Sequence, residues 1–284
     1  MKLTLHSGKG LANHNDRSFN VDKAHHINPN KSDRNVYFRC YSDASTNDEA
    51  EKWFYEAHFS AYLAEKNQRY AIHGHSEKIQ KMDDLRTNKR YEPEETIYQI
   101  GRMGDIQTAE QIEEFERCLE KYLEWHDTNF PNIKILDYSI HYDEASPHVH
   151  IRQVYVAHDK NGNLMPNKNK ALEEMGITRP DPEKPESRYN NRKVTYTAMC
   201  RSAAIQLASI YFDINPEPVS GRKHQETLEY KAQQTQKEIE EAIHNLNIQQ
   251  KQVLDLVDDV NGFRVYQKQQ QEKRAKYREE EEAR

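Results

Sequence analysis

The segment HYDEASPHVH, at residues 141–150, constrains the fold of this chain more than any other part of it. Both flanks, 133–140 and 151–156, are rich in β-branched and aromatic residues, which predicts two antiparallel strands joined by a short loop that contains a proline. Because side chains alternate faces along a strand, His148 and His150 should point the same way, with Cα atoms roughly 6 to 7 Å apart. His141 ends the first strand, so it can approach this pair across the hairpin.

The chemistry of these histidines favours a divalent-metal site, because neutral ring nitrogens that converge beside a carboxylate are good ligands. The alternative is a hairpin end whose histidines are only solvated. A single pair of histidines would favour that alternative. Three histidines and two acids within ten residues, on strands whose intervening positions are apolar, favour the metal.

The remaining patterns predict an α+β domain over residues 1–220. Alternating apolar residues predict two further strands, at 2–6 and 35–41. Helical spacing and capping signals predict four helices, at 48–67, 76–91, 108–129 and 195–212. In the last of these helices, the residues expected to face the core are Met199, Ala203, Ile205, Leu207 and Ile210.

Residues 221–284 are predicted to form one long helix that takes part in a coiled coil. Apolar residues recur every seven positions, with a second series between them: Ile239, Leu246, Val253 and Val260, and Ile243, Gln250 and Val257. This spacing gives about three heptads, in which Gln250 is a polar position able to set the register. We expect self-association through this helix, whose sequence reads as though it were cut in mid-helix.

The charge of the chain excludes a protein that binds nucleic acid through overall basicity. The 284 residues carry a formal net charge of −6 and a mean hydropathy of −1.11. Any surface that binds DNA must therefore be a local basic patch. Three cysteines in no CxxC pattern, no apolar run long enough for a membrane span and no signal peptide together predict a cytoplasmic location.

A second unusual group of residues, His14, Asn15 and Arg17, lies in a loop that follows Gly8 and Gly10. Beside a metal-bound phosphodiester, the planar guanidinium of Arg17 can bind a phosphate oxygen. A neutral nitrogen of His14 can attack phosphorus and form a covalent intermediate. On its own, this segment is also typical of an ordinary polar turn.

The two segments together resemble the motifs of one protein family. HYDEASPHVH resembles the HxDExTPHxH signature of the MobV (Pre/Mob) plasmid-mobilisation relaxases. Residues 12–35, ANHNDRSFNVDKAHHINPNKSDRN, resemble their N-terminal motif, in which a histidine followed by Asn, an acid and Arg precedes an Asn-Pro loop. The resemblance spans roughly residues 8 to 225 and includes the order of the motifs and the coiled-coil tail.

The resemblance implies an HUH-type fold, with a central antiparallel sheet flanked by helices and a metal-binding histidine hairpin. It implies a bacterial, site- and strand-specific DNA transesterase that nicks an origin of transfer for conjugative mobilisation, using Mn²⁺ or Mg²⁺. The implied partners are single-stranded or supercoiled DNA at that origin and the conjugation machinery. Three imidazoles also suit Zn²⁺, so the preference for manganese rests on the resemblance alone.

The resemblance also implies roles for individual residues. The metal ligands would be His141, His148 and His150, with Glu144 as the acid that assists them. The covalent nucleophile would be His14, with Asn15 and Arg17 supporting the phosphate.

Two departures from the family pattern concern the nucleophile and the signature. Many HUH enzymes use a tyrosine, and the family's tyrosine after the Asn-Pro loop falls on Val36 here, with Tyr37 adjacent. This departure favours His14, although Tyr37 can slip into register. Ser146 replaces the usual threonine of the signature.

Two segments are candidates for DNA contacts because each places cations beside an aromatic ring that can stack on a base. The residues concerned are Lys89, Arg90 and Tyr91, and Arg188, Tyr189, Arg192 and Lys193. The alternative for each segment is a solvated charged loop.

Three functions are consistent with these observations. The first is a metal-dependent relaxase that acts through His14. The second is a related rolling-circle replication initiator with a tyrosine nucleophile such as Tyr37. The third is a non-catalytic DNA-binding or scaffold protein with a structural metal in the hairpin.

Overall fold

Six strands form an antiparallel sheet in a computed structural model, which describes residues 1–21, 24 and 26–215. The strand order is β1-β3-β5-β4-β2, and β6 pairs with β5. The strands are β1 (Leu3–Ser7), β2 (Val36–Arg39), β3 (Glu94–Ile100), β4 (Ile133–His141), β5 (His148–His158) and β6 (Leu164–Pro166). This architecture, with helices on both faces of the sheet, confirms the predicted α+β class.

Six α-helices accompany the sheet among the described residues. They are α1 (Ala12–Asn15), α2 (Asn47–Ile72), α3 (Met82–Arg86), α4 (Ala109–Asn129), α5 (Lys168–Glu174) and α6 (Arg192–Ala208). The predicted capping box opens α4, because the Thr108 hydroxyl accepts from the Gln111 amide while the Gln111 side chain accepts from the Thr108 amide. No described helix has the length and apolar character that a membrane span requires.

The two faces of the sheet carry different cores. On one face, residues of the strands pack with α4, α5 and α6, among them Tyr98, Ile151 and Phe115. On the other face, Phe54 and Phe59 of α2 belong to a smaller apolar cluster, completed by Tyr55, Leu85, Leu136, Val154 and Val156. The even-numbered residues of β5 from His148 to Val156 point to this second face. The histidine end of β5 is therefore continuous with the α2 face of the sheet.

The segment 76–91 differs from its prediction as one helix. It contains a 3-10 turn at Ser76–Lys78 and the short helix α3, and Leu85 is its one buried residue. With so little apolar surface to bury, the segment has no stripe along which a long helix could pack. The strand β3, which follows it, was not predicted, because it opens on Glu94 and Glu95 and lacks a clean apolar alternation.

The predicted inward face of α6 is partly wrong. Met199 and Ile210 are 41% and 65% exposed, whereas Ala203 is buried as expected. The helix begins at Arg192 and ends at Ala208, so Ile210 lies beyond it. The buried side consists mainly of small residues, which lets α6 lie close to its neighbours: Tyr196, Cys200, Ala203, Ala204 and Ala208. The predicted coiled coil and the boundary at residue 220 lie outside the described residues.

Candidate metal centre and active site

The hairpin of β4 and β5 brings the three predicted histidines together. His141 and His148 are direct partners in the antiparallel ladder, and His150 follows on the same face of β5. The Nε2 atoms of His148 and His150 lie 3.1 Å apart. The ring of His141 lies 5.3 Å from that of His148 and 4.8 Å from that of His150, between centroids.

Each of these rings uses one nitrogen in a hydrogen bond to the protein. His148 Nδ1 is 2.9 Å from the carbonyl oxygen of Ser146, His150 Nδ1 is 2.9 Å from Glu95 Oε1, and His141 Nε2 is 2.8 Å from the carbonyl oxygen of Asn15. Because oxygen accepts in every case, the ring nitrogen must carry the proton. In the neutral form of each ring, the opposite nitrogen is an unprotonated donor atom for a metal.

The residues present fit a divalent cation. His141 Nδ1 is buried and has no hydrogen-bond partner, which is costly for a polar atom unless something else satisfies it. Donor atoms of His141, Glu144 and His148 all lie within 4.8 Å of one another. Burial and the charge of Arg17 lower the pKa of His141 to about 2, so this ring is neutral and able to ligate at pH 7. Nitrogen and carboxylate donors of this kind suit several divalent ions.

His14 lies at the edge of this group, on α1. Its ring centroid is 5.4 Å from that of His150 and 5.8 Å from that of His141. Its Nε2 is 3.7 Å from Glu144 Oε1, and its side chain is partly exposed. Burial, together with the charge of Arg17, lowers the pKa of His14 to about 4. The ring is therefore neutral at pH 7, accessible, and adjacent to the donor nitrogens.

Arg17 is occupied by the two acids of the hairpin loop. Its Nε and Nη2 donate to Asp143 at 3.1 and 2.7 Å, and Nη2 also donates to Glu144 at 2.9 Å. Its Nη1 donates to the carbonyl oxygen of His14 at 2.9 Å. Arg17 adopts a φ of 58°, a conformation that is strained for a residue other than glycine and is maintained by these contacts. Its Nη1 also lies 3.5 Å from His14 Nε2, so a phosphate that binds Arg17 must compete with contacts that the guanidinium already makes.

Asp143 fastens the loop of the Asn-Pro segment to the hairpin. It accepts hydrogen bonds from Ser32 Oγ and Asn35 Nδ2, both at 2.8 Å, in addition to those from Arg17. Although burial raises the pKa of Asp143, these hydrogen bonds hold it well below its usual range. Asn35 Nδ2 also lies 3.3 Å from the Tyr37 hydroxyl, which places Tyr37 beside the site.

Glu95 belongs to the site and was missed by the sequence analysis. It lies on the unpredicted strand β3, far in sequence from both motifs, and its Oε1 accepts from Asn15 Nδ2 at 2.7 Å as well as from His150. Burial raises the pKa of Glu95, but the hydrogen bonds from His150, Asn15 and Gly10 outweigh burial and lower it to about 2. The pair of glycines at positions 8 and 10, which the chain folds over this carboxylate, was the available signal.

The contacts found for the residues predicted to bind DNA do not include the histidines of the hairpin. Lys89 and Arg90 are exposed in the turn after α3, and the carbonyl of Tyr91 accepts from the Tyr55 hydroxyl on α2. Arg192 pairs with Glu173 at 2.8 Å and Lys193 with Glu94 at 2.6 Å, so each cation already has a carboxylate partner, which in the case of Glu94 is shared with Lys168.

Arg188 and Tyr189 form an exposed tip on the loop before α6. The guanidinium of Arg188 lies 5.5 Å from the centre of the Tyr189 ring, and Tyr189 is 77% exposed. The loop is braced beneath them by Asn190, whose Nδ2 donates to the carbonyl oxygens of Asp181, Lys184 and Pro185. The structure thus presents an aromatic ring and a cation on a braced support.

A comparison with known protein families gives a match to the part of the chain that contains the histidine hairpin. The family model described as "Plasmid recombination enzyme" (Mob_Pre) matches residues 51–176. The resemblance to this family is confirmed. The matched residues include β3, β4 and β5, and so contain the histidine hairpin and Glu95, whereas His14 precedes them. None of the curated proteins matches the chain in sequence.

Solved structures of a Mob_Pre protein resemble this chain in outline. One is the MobM relaxase domain, crystallised with Mn and with oriT DNA of plasmid pMV158. It has 17% sequence identity and a TM-score of 0.47, over 82% of this chain and 98% of that one. Two further crystal structures of the same domain with this DNA and Mn give TM-scores of 0.45 and 0.46, at 17% and 15% identity. They cover 82% of this chain, and 100% and 99% of their own.

Proposed function

We propose that this chain is a metal-dependent relaxase, which nicks one strand of DNA at an origin of transfer through a covalent intermediate on His14. The nick would serve the conjugative mobilisation of a plasmid or another mobile element. One observation carries the proposal: the Nε2 atoms of His148 and His150 lie 3.1 Å apart, and the rings of His141 and of the accessible, neutral His14 lie next to them.

The metal would be held by the free nitrogens of His141, His148 and His150, with a Glu144 oxygen 3.7 Å from His141 Nδ1 and another 4.0 Å from His148 Nε2. A bound Mn²⁺ or Mg²⁺ withdraws charge from the non-bridging oxygens of a phosphodiester and orients it. Zn²⁺ suits the same donors, so the choice among these ions is a matter for measurement.

His14 would act as the nucleophile. A bond forms between a ring nitrogen and phosphorus, the bond from phosphorus to the 3′ oxygen breaks, and that oxygen takes a proton from water and leaves as a 3′-hydroxyl. Glu144, whose carboxylate lies 3.7 Å from His14 Nε2, stabilises the positive charge that the imidazole acquires. Attack by a 3′-hydroxyl on the same phosphorus reverses the reaction and rejoins the strand.

Asn15 and Arg17 would support this chemistry through the contacts that they make within the protein. Asn15 binds Glu95 through its side chain and His141 through its carbonyl. Arg17 bridges His14 and the acids of the hairpin loop. We therefore propose that both residues position the nucleophile and the metal ligands. Arg17 would contact a phosphate only in competition with its present hydrogen bonds.

Single-stranded DNA would be held by the basic and aromatic groups outside the histidine site. Tyr189 is able to stack on an unpaired base, with Arg188 beside it for the backbone. Lys89 and Arg90 are exposed and available to phosphate. Arg192 and Lys193 would bind phosphate only in competition with Glu173 and Glu94.

The assignment of residues 1–220 to nicking and of 221–284 to a coiled coil is part of this proposal. The heptad spacing supports self-association, and docking to conjugation machinery would follow from the proposed role. Analytical ultracentrifugation of the full chain tests the first point, because a monomer at high concentration would contradict it.

A nicking assay tests the proposal directly. Supercoiled plasmid carrying the origin of the chain's own element is incubated with the protein and Mn²⁺, with EDTA as a control, and run on a denaturing gel with and without protease. We expect a metal-dependent nick with protein bound to the 5′ end. His14→Phe should abolish the adduct, whereas His73→Phe, an exposed histidine at the end of α2, should leave it unchanged.

The outcomes separate the three functions. An adduct that survives His14→Phe but not Tyr37→Phe would support a tyrosine-using initiator instead. That result is chemically reasonable because the Tyr37 hydroxyl lies beside Asn35 at the edge of the site. No nick at the chain's own origin would support a non-catalytic protein with a structural metal.

A further inference from the structure

Glu95 touches both halves of the proposed active site with one carboxylate. On the metal side, its Oε1 accepts from His150 Nδ1 at 2.9 Å. On the nucleophile side, the same oxygen accepts from Asn15 Nδ2 at 2.7 Å, and Oε2 accepts from the Gly10 amide at 3.1 Å. The side chain is 2% exposed, so these three donors, rather than water, satisfy it.

The contacts of Asn15 extend this link to a second metal ligand. Its carbonyl oxygen accepts from His141 Nε2 at 2.8 Å, and its neighbour in α1 is His14. Glu95 and Asn15 therefore join His150, His141 and the helix of the nucleophile in one hydrogen-bonded series. Movement of the Glu95 carboxylate would release a ring on one side and α1 on the other.

The loop ahead of α1 is shaped to enclose this carboxylate. A Cβ atom at Gly8 would lie 1.6 Å from Glu95 Oε2, so no other residue fits there without displacing the carboxylate. The Gly8 amide also donates to the carbonyl oxygen of Glu95 at 3.1 Å. Main chain and side chain of residue 95 thus both fasten the segment that leads to His14.

We propose that Glu95 is a positioning residue, which couples metal binding at His150 to the placement of His14. The inference rests on the proposed function and adds to it a residue that lies outside both sequence motifs. A carboxylate that accepts the second N–H of a metal-bound histidine fixes the ring's tautomer and orientation and makes its free nitrogen more basic. Here the same carboxylate also holds the nucleophile's helix.

The first test is the affinity of the full chain for Mn²⁺, measured by EPR of the free ion. Both oxygens of the Glu95 carboxylate accept hydrogen bonds, but the amide of Glu95→Gln has only one oxygen. In either orientation its NH₂ group must therefore face a hydrogen-bond donor, which is the Gly10 amide in one case and His150 and Asn15 in the other. We expect about 10- to 100-fold weaker Mn²⁺ binding, the usual loss for such a partner. The matched control is Glu94→Gln, because Glu94 faces the opposite side of β3 and pairs with Lys168 and Lys193. Its Mn²⁺ affinity should equal that of the wild type.

The second test reads the coupling itself. Hydrogen exchange of a peptide that covers residues 8–17 should slow when Mn²⁺ binds the wild-type chain, and this protection should be lost in Glu95→Gln. Gly8→Ala keeps Glu95 in the sequence but displaces its carboxylate from the site, so it should also weaken Mn²⁺ binding and remove the protection of residues 8–17. This variant provides the test if Glu95→Gln folds poorly. Circular dichroism establishes which variants are folded.

The results also separate this inference from the proposed function. Wild-type affinity for Mn²⁺ in folded Glu95→Gln and in Gly8→Ala would overturn the role of Glu95 while leaving the relaxase proposal in place. Weaker binding with unchanged protection of residues 8–17 would overturn the coupling. A wild-type chain that binds no Mn²⁺ would overturn the proposed function, and this inference with it.

Discussion

Two buried polar clusters lie next to each other on the same face of β5, and they differ in how far their groups are paired. Arg152 donates from Nε to both oxygens of Asp137 and from Nη2 to Glu51 at 2.8 Å. Asn47 of α2 completes the cluster with a bond to Asp137 at 3.1 Å. Two residues earlier on the same strand, His150 Nε2 lies 3.1 Å from another ring nitrogen, His148 Nε2.

The difference shows which cluster is complete without a ligand. A buried guanidinium with two carboxylates offsets much of its own desolvation cost, and it stabilises the fold mainly because removing any one partner is costly. Converging imidazole acceptors without donors repel one another and gain nothing from burial until a cation arrives. We therefore interpret the Arg152 cluster as structural and the histidine cluster as a binding site.

The largest effect on stability is expected from Arg152→Met, which keeps the bulk of the side chain but leaves Asp137 buried without its cation and Glu51 with Arg86 alone. The free energy of unfolding in urea should fall by about 3 to 5 kcal/mol. Arg117→Met is the matched control, since Arg117 pairs with Glu113 on the exposed surface of α4 and such a pair contributes only about 0 to 1 kcal/mol. Equal, small losses in both variants would contradict the structural role of the Arg152 cluster.

His150→Ala should have the opposite result, with a large loss of metal affinity and a small loss of stability. Removal of one of three ligand nitrogens should weaken Mn²⁺ binding beyond the roughly 100-fold typical of an outer partner. The metal-free stability should fall less than in Arg152→Met, because Glu95 keeps its bonds to Asn15 and Gly10. Calorimetric titration with Mn²⁺ and urea unfolding in EDTA measure the two quantities. A large loss of metal-free stability with unchanged Mn²⁺ affinity would exchange the roles of the two clusters.

His126 sharpens the comparison, because an unpaired buried nitrogen does not by itself make a metal site. Its Nδ1 has no hydrogen-bond partner, and its Nε2 lies 2.8 Å from the Tyr196 hydroxyl. Burial lowers the pKa of His126 from 6.5 to about 4. It belongs to none of the ligand groups found among the described residues.

Protonation of His126 should therefore affect stability and leave metal affinity unchanged. Because the folded-state pKa is depressed, the unfolded chain takes up the proton first, so stability present above about pH 6.5 is lost as the pH falls toward 4. The contribution between pH 7 and pH 5 is about 2 kcal/mol. The free energy of unfolding, measured with urea in EDTA, should fall between pH 7 and pH 5 in both proteins. The fall should be smaller by about 2 kcal/mol in His126→Phe than in the wild type. An identical difference in both proteins would contradict this assignment.

The smallest effect is expected at the exposed tip of the loop before α6. Tyr189→Ala should weaken binding of a single-stranded origin oligonucleotide by about 1 kcal/mol, the lower end for stacking on one base. Fluorescence anisotropy measures the affinity, with Tyr70→Ala on α2 as a control away from the tip. Mn²⁺ affinity should remain at its wild-type value. Unchanged DNA binding in Tyr189→Ala would remove this loop from the proposed DNA surface.

The parts of the fold that were predicted are those whose evidence is local. The histidine hairpin, α4 and the first strand each carry their pattern within a few consecutive residues, and the ligand candidates lie ten residues apart at most. Local spacing also indicated His14, but not its distance from the hairpin. That distance depends on pairings between residues more than 120 positions apart, such as Arg17 and Asp143.

The parts that escaped prediction depend on partners distant in sequence. β3 reads as polar because Glu95 points into the site and Glu94 toward two lysines, so its pattern reflects contacts rather than a simple apolar alternation. The occupied state of Arg17 was hidden for the same reason. In α6, burial follows the small residues that allow close packing, so the large apolar side chains of Met199 and Ile210 were misleading.

The fit of Gly8 over Glu95 has a consequence for how such a chain can evolve. A side chain at position 8 occupies the volume of the carboxylate at position 95, so either change alone removes the same group from the site. The harm done by one substitution leaves little for the other to add, and their combined effect should be far from additive. We therefore expect the residues at positions 8 and 95 to change together. Relatives without glycine at position 8 are expected to lack the acid at position 95.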